Sequence, residues 1–476
     1  MMTGLIQKGP VRSGFTGIIA LVVVLMTGAC STYHRRSAEI KQSFTESDYE
    51  QALERVEQID RGSSELLYFY EKGLILHYGN RHVESNEVFE RAELLLDELY
   101  TKSVSREAAA LAVSDNIARY RGTAYEAILV NYYKILNYLY LDDVDGAVVE
   151  CRRVNRKLEY LRDTEGVFFS NDPFVQYVTG MVYQAAGDWA NADVSYRVAL
   201  AEYKNLAADY GVTVPQHLAC DGAAVSASLG DAVAADTMKA GCPPPVPEGS
   251  GVVNLFLECG YVAHKQERKI ALPVFTSDDS GDSEALAEVL AAREGRDVVS
   301  YQGDRKVDYI LKVAVPVLVP TPVPWEYAVV RPVWRPDSLG APSPLDPVPG
   351  DGVRTDAVEN IDAFALAAYD EGFGNMLART VARALVKYAA KKGADSKDET
   401  LGWVVNWFNV LTESADTREW TTLPERILMT RLVLSAGSYR LRVRLIDATG
   451  GTVSEFDIDG VTVAPGKTLF LNHRVF

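Results

Sequence analysis

The stretch FVQYVTGMVYQAAGDWANADVSYRVAL, Phe174 to Leu200, reads as two helices joined by a tight turn. Apolar residues recur every three or four positions on both sides of Gly187-Asp188, the spacing of one buried helix face. Gly180 is the small residue where the two helices touch. Ala192, Tyr196 and Ala199 line the inner side of the second helix. Such a hairpin cannot bury its apolar face alone, so it predicts stacked neighbours.

Working outward, the same text recurs with a period near 34 residues, the tetratricopeptide spacing. One copy has Gly73 as the contact glycine, Gly79-Asn80 at the turn, and Phe89 and Ala92 on the second helix. Another runs through NYYKILNYLYLDDVDGAVVECRRV, with Asp142-Asp143 at the turn and Ala147 in the small-residue slot. Ser47-Asp48-Tyr49 followed by Ala52 looks like the turn and second helix of a degenerate first copy. Residues 38–205 are therefore expected to form a tetratricopeptide-like helical array, interrupted between Thr101 and Tyr120.

Past Tyr203 the helical pattern weakens, and residues 206–250 read as an Ala/Pro-rich linker ending in Cys242-Pro-Pro-Pro-Val-Pro247. Residues 251–476 read as an α+β domain. VVNLFLECG, KIALPVF and Tyr309 to Val319 are strand-like. Ser283–Arg293 and Leu401–Leu411 are short helices, and 357–392 is a long one with Leu377, Val381, Leu385 and Tyr388 on one stripe. A Pro-rich insertion spans 316–350. From Ile427 the text is β, with Tyr439, Leu441, Val443 and Leu445 alternating against Arg440, Arg442 and Arg444. The fold class is α+β: an all-α repeat array, then a mixed domain with an antiparallel β C-terminus.

The N-terminus carries Lys8 and Arg12, an apolar run from Phe15 to Met26, then Thr27-Gly28-Ala29 before Cys30. That order is a secretory signal over residues 1–29, and the run is too short for a bilayer span. It resembles the lipobox of bacterial lipoproteins, departing from it at Thr27. The resemblance implies acylation of Cys30, and Ser31 after it implies an outer-membrane anchor with the body in the periplasm. Losing Lys8 and Arg12 moves the net charge from −17 to about −19. Such a chain is a poor nucleic-acid ligand. Cys220 and Cys242 could pair in an oxidising compartment, while Cys151 and Cys259 read as buried apolar residues.

No catalytic text stands out. The six histidines show no HExxH pair and no metal spacing with cysteine, and no GxSxG elbow or phosphate-loop lysine is present. No catalytic residue, metal or cofactor is expected, and an enzymatic role is disfavoured. Binding is better supported. First-helix positions opposite the contact glycines would line a concave groove: Tyr70, His77 and Tyr78, then Tyr132, Leu139 and Tyr140, then Tyr177 and Gln184. Tyrosine suits peptide recognition, and packing between hairpins is the alternative. Asp416-Thr-Arg-Glu-Trp-Thr-Thr-Leu-Pro424 reads as a clasp, with Asp–Arg pairing and Trp420 buried, or as a docking edge. Arg379, Arg383 and Lys387 share a helix face.

AYEAILVNYYK, Glu150-Cys-Arg-Arg-Val-Asn155, the Gly180–Gly187 repeat and Glu258-Cys-Gly-Tyr-Val-Ala-His-Lys265 together resemble an uncharacterised family of tetratricopeptide bacterial lipoproteins. Arg379–Arg383, Lys387-Tyr388 and Asp416–Pro424 carry the resemblance further, over most of the mature chain. It implies an envelope role near the lipoprotein activators of peptidoglycan synthases, and no catalytic residue. The leading expectation is a membrane-anchored scaffold for periplasmic or envelope proteins, serving peptidoglycan synthesis or outer-membrane assembly. A pilotin-like assembly lipoprotein and an envelope hydrolase are the alternatives.

Overall fold

One turn chemistry recurs along the N-terminal half of the chain. The first helix of each hairpin ends at a residue in the left-handed region: Ser47, Asn80, Asp142, Gly187 and Gly230, with φ of 58°, 57°, 55°, 77° and 81°. The following N–H then closes on the carbonyl five residues back. Asp48 bonds Ser43 at 2.9 Å, Arg81 bonds Leu76 at 2.9 Å, Asp143 bonds Tyr138 at 2.9 Å, Asp188 bonds Tyr183 at 2.8 Å and Asp231 bonds Ser226 at 2.9 Å. This satisfies carbonyls that a helix end leaves unpaired. At four of the five turns the next residue is aspartate, whose carboxylate accepts from the second helix's free amides: Gln51, Gly146, Asn191 and Ala234. Five positions past each left-handed residue stands a small one, Ala52, Ser85, Ala147, Ala192 and Ala235, all buried. A larger side chain there would wedge the two helices apart.

The computed structural model describes residues 35–59, 61–101, 118–165, 172–238, 241–243, 246–275, 307–334, 352–395 and 415–476. Cys30 with its signal segment, most of the Thr101–Tyr120 interruption, and the expected helices at Ser283–Arg293 and Leu401–Leu411 lie outside them. The hairpins are α1 (35–45) with α2 (Tyr49–Val56), α3 (Glu65–Tyr78) with α4 (His82–Thr101), and α5 (Ala124–Tyr140) with α6 (Val144–Glu165). Then come α7 (Pro173–Ala185) with α8 (Trp189–Tyr210), and α9 (Leu218–Ser228) with α10 (Ala232–Met238). In three of them a glycine lets an aromatic ring seat on the helix backbone, and for Gly146 an added Cβ would lie 2.5 Å from the Tyr138 ring. A Cβ on Gly73 would lie 2.5 Å from the Phe89 ring, and one on Gly180 would lie 2.6 Å from that of Tyr196.

The fifth hairpin corrects the expected linker over 206–250. Alanine-rich text hides its periodicity, yet Gly230-Asp231 makes the same turn as Gly187-Asp188. A disulfide between Cys220 and Cys242, Cα atoms 5.4 Å apart, ties the start of α9 to the chain beyond α10. Cys151 and Cys259 are free and buried.

The strands are β1 (Ser250–Cys259), β2 (His264–Phe275), β3 (Val307–Val319), β4 (Tyr327–Trp334), β5 (Val353–Arg354) and β6 (Asp356–Asn360). After α11 (Ile361–Asp395) follow β7 (Arg426–Ser435), β8 (Gly437–Ile446), β9 (Thr452–Val463) and β10 (Thr468–Val475). They form a first sheet in the order β10-β1-β7-β6, a second in the order β5-β4-β8-β9, and the hairpin β2-β3. Most neighbours are antiparallel, and β10 runs parallel to β1. Two expectations change here. Residues 327–334 belong to the second sheet rather than to a Pro-rich insertion, with Pro332 opposite Leu441 on β8. The long helix starts at Ile361, because Asp356–Asn360 adds a strand to the first sheet.

Three layers result. On β1, Val253, Leu255, Leu257 and Cys259 pack against the second sheet around Ala328, Val330, Leu441 and Val443. The alternate residue Phe256 joins Ile427, Met429 and Phe470 in a continuous core with the helical array. A strand's side chains alternate between faces, so the first sheet is buried on both sides. The start of α11 joins this core through Phe364, stacked on Tyr210 at 5.4 Å. Further along, Phe373 and Leu377 hold β2-β3 through Ile270, Val313 and Val315.

Candidate functional site

The concave face of the array is the place to look for a binding groove, and the chain's own first sheet fills it. Tyr70, His77, Tyr132, Tyr140 and Tyr177 do line that face, but none is open to a partner. Burying an aromatic ring stabilises by about 1.5–3 kcal/mol, and the array obtains that burial inside the chain.

Trp420 is the deepest insertion. It is fully buried, stacked on Tyr70 with ring centroids 4.6 Å apart, with Phe89 at 6.0 Å and Tyr133 at 6.2 Å. The backbone around it is held by two buried array carboxylates. The Trp420 N–H donates to Glu126 at 2.9 Å, and the Thr421 N–H and hydroxyl each donate to Glu71 at 2.8 Å. The Thr422 hydroxyl also donates to Glu71. Burial pushes the Glu71 carboxyl up from its ordinary value, against the pull of those hydrogen bonds. Arg418 pairs with Asp416 at 2.7 Å and donates to the carbonyls of Ser63 at 2.8 Å and Ala118 at 3.0 Å. The segment is a clasp, as its Asp, Arg and Trp suggest, and what it clasps is the array.

A second joint reverses the roles. Glu258 projects from β1 into the array and is fully buried. Its carboxylate accepts from the hydroxyls of Tyr132 at 3.0 Å and Tyr133 at 2.8 Å, from Tyr78, and from the Asn472 amide at 2.9 Å. Among the described residues its hydrogen-bond donors are all neutral. Tyr140 bonds both the side chain and the backbone N–H of Asn472, at 2.6 and 2.7 Å. Asn472 donates to His77 Nε2 at 2.9 Å, and His77 Nδ1 meets Asn137 Oδ1 at 2.6 Å. That arrangement suits a neutral imidazole protonated on Nδ1, and burial holds its pKa down at about 4.

The third joint is Tyr177, whose hydroxyl donates to Asp221 on α9 at 2.9 Å. Asp221 pairs with Arg431 of β7 at 2.5 Å. The missed fifth hairpin therefore supplies the acid that fastens this end of the sheet. Gln184 turns away from the groove and accepts from Tyr196 of its own hairpin at 2.5 Å. Leu139 and Tyr78 are packed against the core. The proposed open groove of Tyr70, His77, Tyr78, Tyr132, Tyr140, Tyr177 and Gln184 is thus corrected: six of the seven line or touch the joint with the sheet, and Gln184 does not.

The outer face of the array differs. Val83, Leu94, Leu141, Val149, Tyr160, Trp189 and Val194 are exposed there. Between α4, α5 and α6 opens a cleft of about 670 Å³ lined by Val83, Asn86, Glu87, Glu90, Arg91, Tyr138, Leu141 and Arg153. Behind it lies a charge network around Lys134, whose side chain is 1% exposed and whose Nζ lies 2.8 Å from Glu90, 2.5 Å from Glu93 and 3.2 Å from Glu150. Arg153 meets Glu90 at 2.6 Å, and Lys157 meets Glu93 at 2.9 Å. The Glu93 carboxyl is held at about 2, because those cations outweigh its burial. The network fixes the angle between the second and third hairpins and so gives the cleft a rigid floor. Sequence spacing could not reveal it, because each of these residues also fits a solvated helix face.

Among the described residues no group of three or more His, Cys, Asp or Glu could hold a metal ion, and no helix is long and apolar enough to cross a membrane. No family model matches the chain, and no curated protein matches it. Similar solved structures include BtubC from P. vanneervenii, 18% identical, which covers 49% of this chain and 96% of that one at a TM-score of 0.29. The apo form of RapI is 11% identical over 47% of this chain and 57% of that one, at 0.32. MamA AMB-1 is 15% identical over 45% of this chain and 94% of that one, at 0.26. These overlaps span about half of the chain, at TM-scores between 0.26 and 0.32.

Proposed function

We propose that this chain is a lipid-anchored envelope scaffold that docks protein partners on the outer face of its helical array, in peptidoglycan synthesis or outer-membrane assembly. The observation that carries the reading is the cleft between α4, α5 and α6, rimmed by exposed Val83 and Leu141. Exposed apolar side chains beside a rigid, charged floor are what a protein interface uses as anchor and rim. The groove is unavailable for that purpose, because the first sheet occupies it. The anchor is the acylated Cys30, with the outer membrane as its site and the array facing the periplasm.

Crosslinked capture from envelopes tests both parts. Wild-type protein should recover a peptidoglycan synthase or an outer-membrane assembly component, and Val83→Glu/Leu141→Glu should lose it while remaining folded and membrane-bound. Capture undiminished by that pair rejects the cleft as the docking site. Cys30→Ala should move the protein to the soluble fraction; retention in the membrane rejects the lipid anchor.

A further inference from the structure

The outer face of the second sheet carries a graded set of charges. On β8, Tyr439, Leu441, Val443 and Leu445 point into the core, so Arg440, Arg442 and Arg444 point outward. Their neighbours across β9 are acidic. Arg442 stands opposite Asp457 and Arg444 opposite Glu455. Arg440 meets Asp459 at 2.8 Å and Asp457 at 3.3 Å, and Arg442 meets Asp457 at 3.1 Å and Glu455 at 3.4 Å. Across β4, on the other side, the pattern reverses. Arg331 stands directly opposite Arg442, and Val329 and Val333 stand opposite Arg444 and Arg440. Beyond β4 lies Arg354, opposite Val329 and over the Tyr327 ring at 3.7 Å.

Two like charges facing each other across a sheet oppose its pairing. Arg331 and Arg354 are exposed, and neither has a carboxylate partner among the described residues. The chain as a whole carries −17, so a cationic surface here stands against its general charge. The same charge argues against a second copy of the chain as occupant. β9 shows what satisfies the arginine row: an extended strand with acids at alternate positions, Glu455, Asp457 and Asp459. Arg354, opposite Val329, is the diagonal cross-strand neighbour of Arg331, a separation of about 7–8 Å, close to the ~6.8 Å repeat of alternate residues along a strand. Val329, Val333 and Tyr327 supply apolar contact beside these two cations.

We propose that the β4–β5 side of this face binds an extended acidic peptide segment of a protein partner, with carboxylates at alternate positions meeting Arg331 and Arg354. This surface is separate from the outer-face cleft of the array, so either can fail alone.

The test uses the full mature chain and a fluorescein-labelled peptide alternating Glu and Val, followed by anisotropy. The peptide should bind, more tightly than a peptide of the same composition with its Glu and Val in separate blocks. Added salt should weaken it, because exposed charges are screened. Arg331→Glu/Arg354→Glu should loosen the complex by about tenfold or more, and Arg331→Gln by less, with unchanged circular dichroism. Lys467→Glu, exposed on the β9–β10 turn, should leave the affinity unaltered. Equal affinity for both peptides, or an unaltered affinity in the double variant, overturns the proposal. So does absence of peptide binding together with variant-sensitive binding to vesicles of anionic phospholipid, which would assign the face to a membrane.

Discussion

The two faces of the helical array obey one repeat and end in opposite situations. On the concave face, tyrosines from three hairpins meet a sheet, and the carboxylates at the joint are paired: Glu71 and Glu126 with the clasp, Glu258 with three hydroxyls and an amide. On the outer face, Val83, Leu94 and Val194 are more than half exposed, and the buried charges behind the cleft are paired within the array. The repeat dictates which residues look inward. It does not dictate whether the inside stays empty, because that depends on chain 125 or more residues away in sequence.

The sharpest way to break this contrast is at the clasp. Trp420→Ala leaves a hole between Tyr70, Phe89 and Tyr133 and should destabilise by about 3–5 kcal/mol. Urea unfolding should then separate into array and sheet transitions. A single transition at nearly the wild-type midpoint would show that the clasp does not couple the layers.

Glu258→Ala comes next. It strands buried hydroxyls on Tyr78, Tyr132 and Tyr133, at about 1–3 kcal/mol for each group left without a partner. Glu258→Gln, which keeps one acceptor oxygen, should lose less. Equal losses in the two variants would show that the carboxylate's capacity for several donors is unimportant.

A smaller effect is the pH dependence carried by two carboxyls away from the groove, Asp362 at the start of α11 and Glu425 just before β7, which accept from the N–H groups of Ala263 and Val323. Burial raises the Asp362 carboxyl to about 6 and the Glu425 carboxyl to about 7, from ordinary values of 3.8 and 4.5. The folded chain then holds protons that the unfolded chain has released. Their stabilisation is therefore complete below the unfolded values and is lost as pH rises through about 6 and 7. His77 acts oppositely. Its depressed pKa of about 4 makes its contribution full above 6.5 and lost as pH falls toward 4. Asp362→Asn/Glu425→Gln should flatten the decline in urea midpoint between about pH 5 and 7. An unchanged slope would contradict the burial argument.

Smallest of all, Leu141→Glu on the outer face should alter stability by no more than about 0.5 kcal/mol. A larger loss would mean that this rim is packed rather than open.

Much of the array was legible in the sequence, because its signal is local. Left-handed Asn80, Asp142 and Gly187, the aspartates after the last two and the small residues five positions on each fall within a single hairpin. The fifth hairpin carries the same Gly230-Asp231 turn and Ala235, but Ala-rich helices lack the apolar contrast that periodicity needs. The strands were legible from alternation, and their partners were not, since register depends on side chains brought together from distant segments. The groove was misread for the same reason. Tyrosines that prefer a peptide also prefer a sheet face carrying Glu258 and Asn472, and nothing local separates the two. Cys220–Cys242 was reachable because a disulfide needs only its two thiols brought close.

Native-state amide exchange at Trp420 and Thr421 tests most directly whether the array's groove is permanently filled by its own sheet. Both amides, bonded to Glu126 and Glu71, should exchange only as slowly as the core amides of β1, at the free energy of global unfolding. Exchange at those two positions through a low-energy opening, with β1 still protected, would show a clasp that releases on its own and a groove that is open to partners.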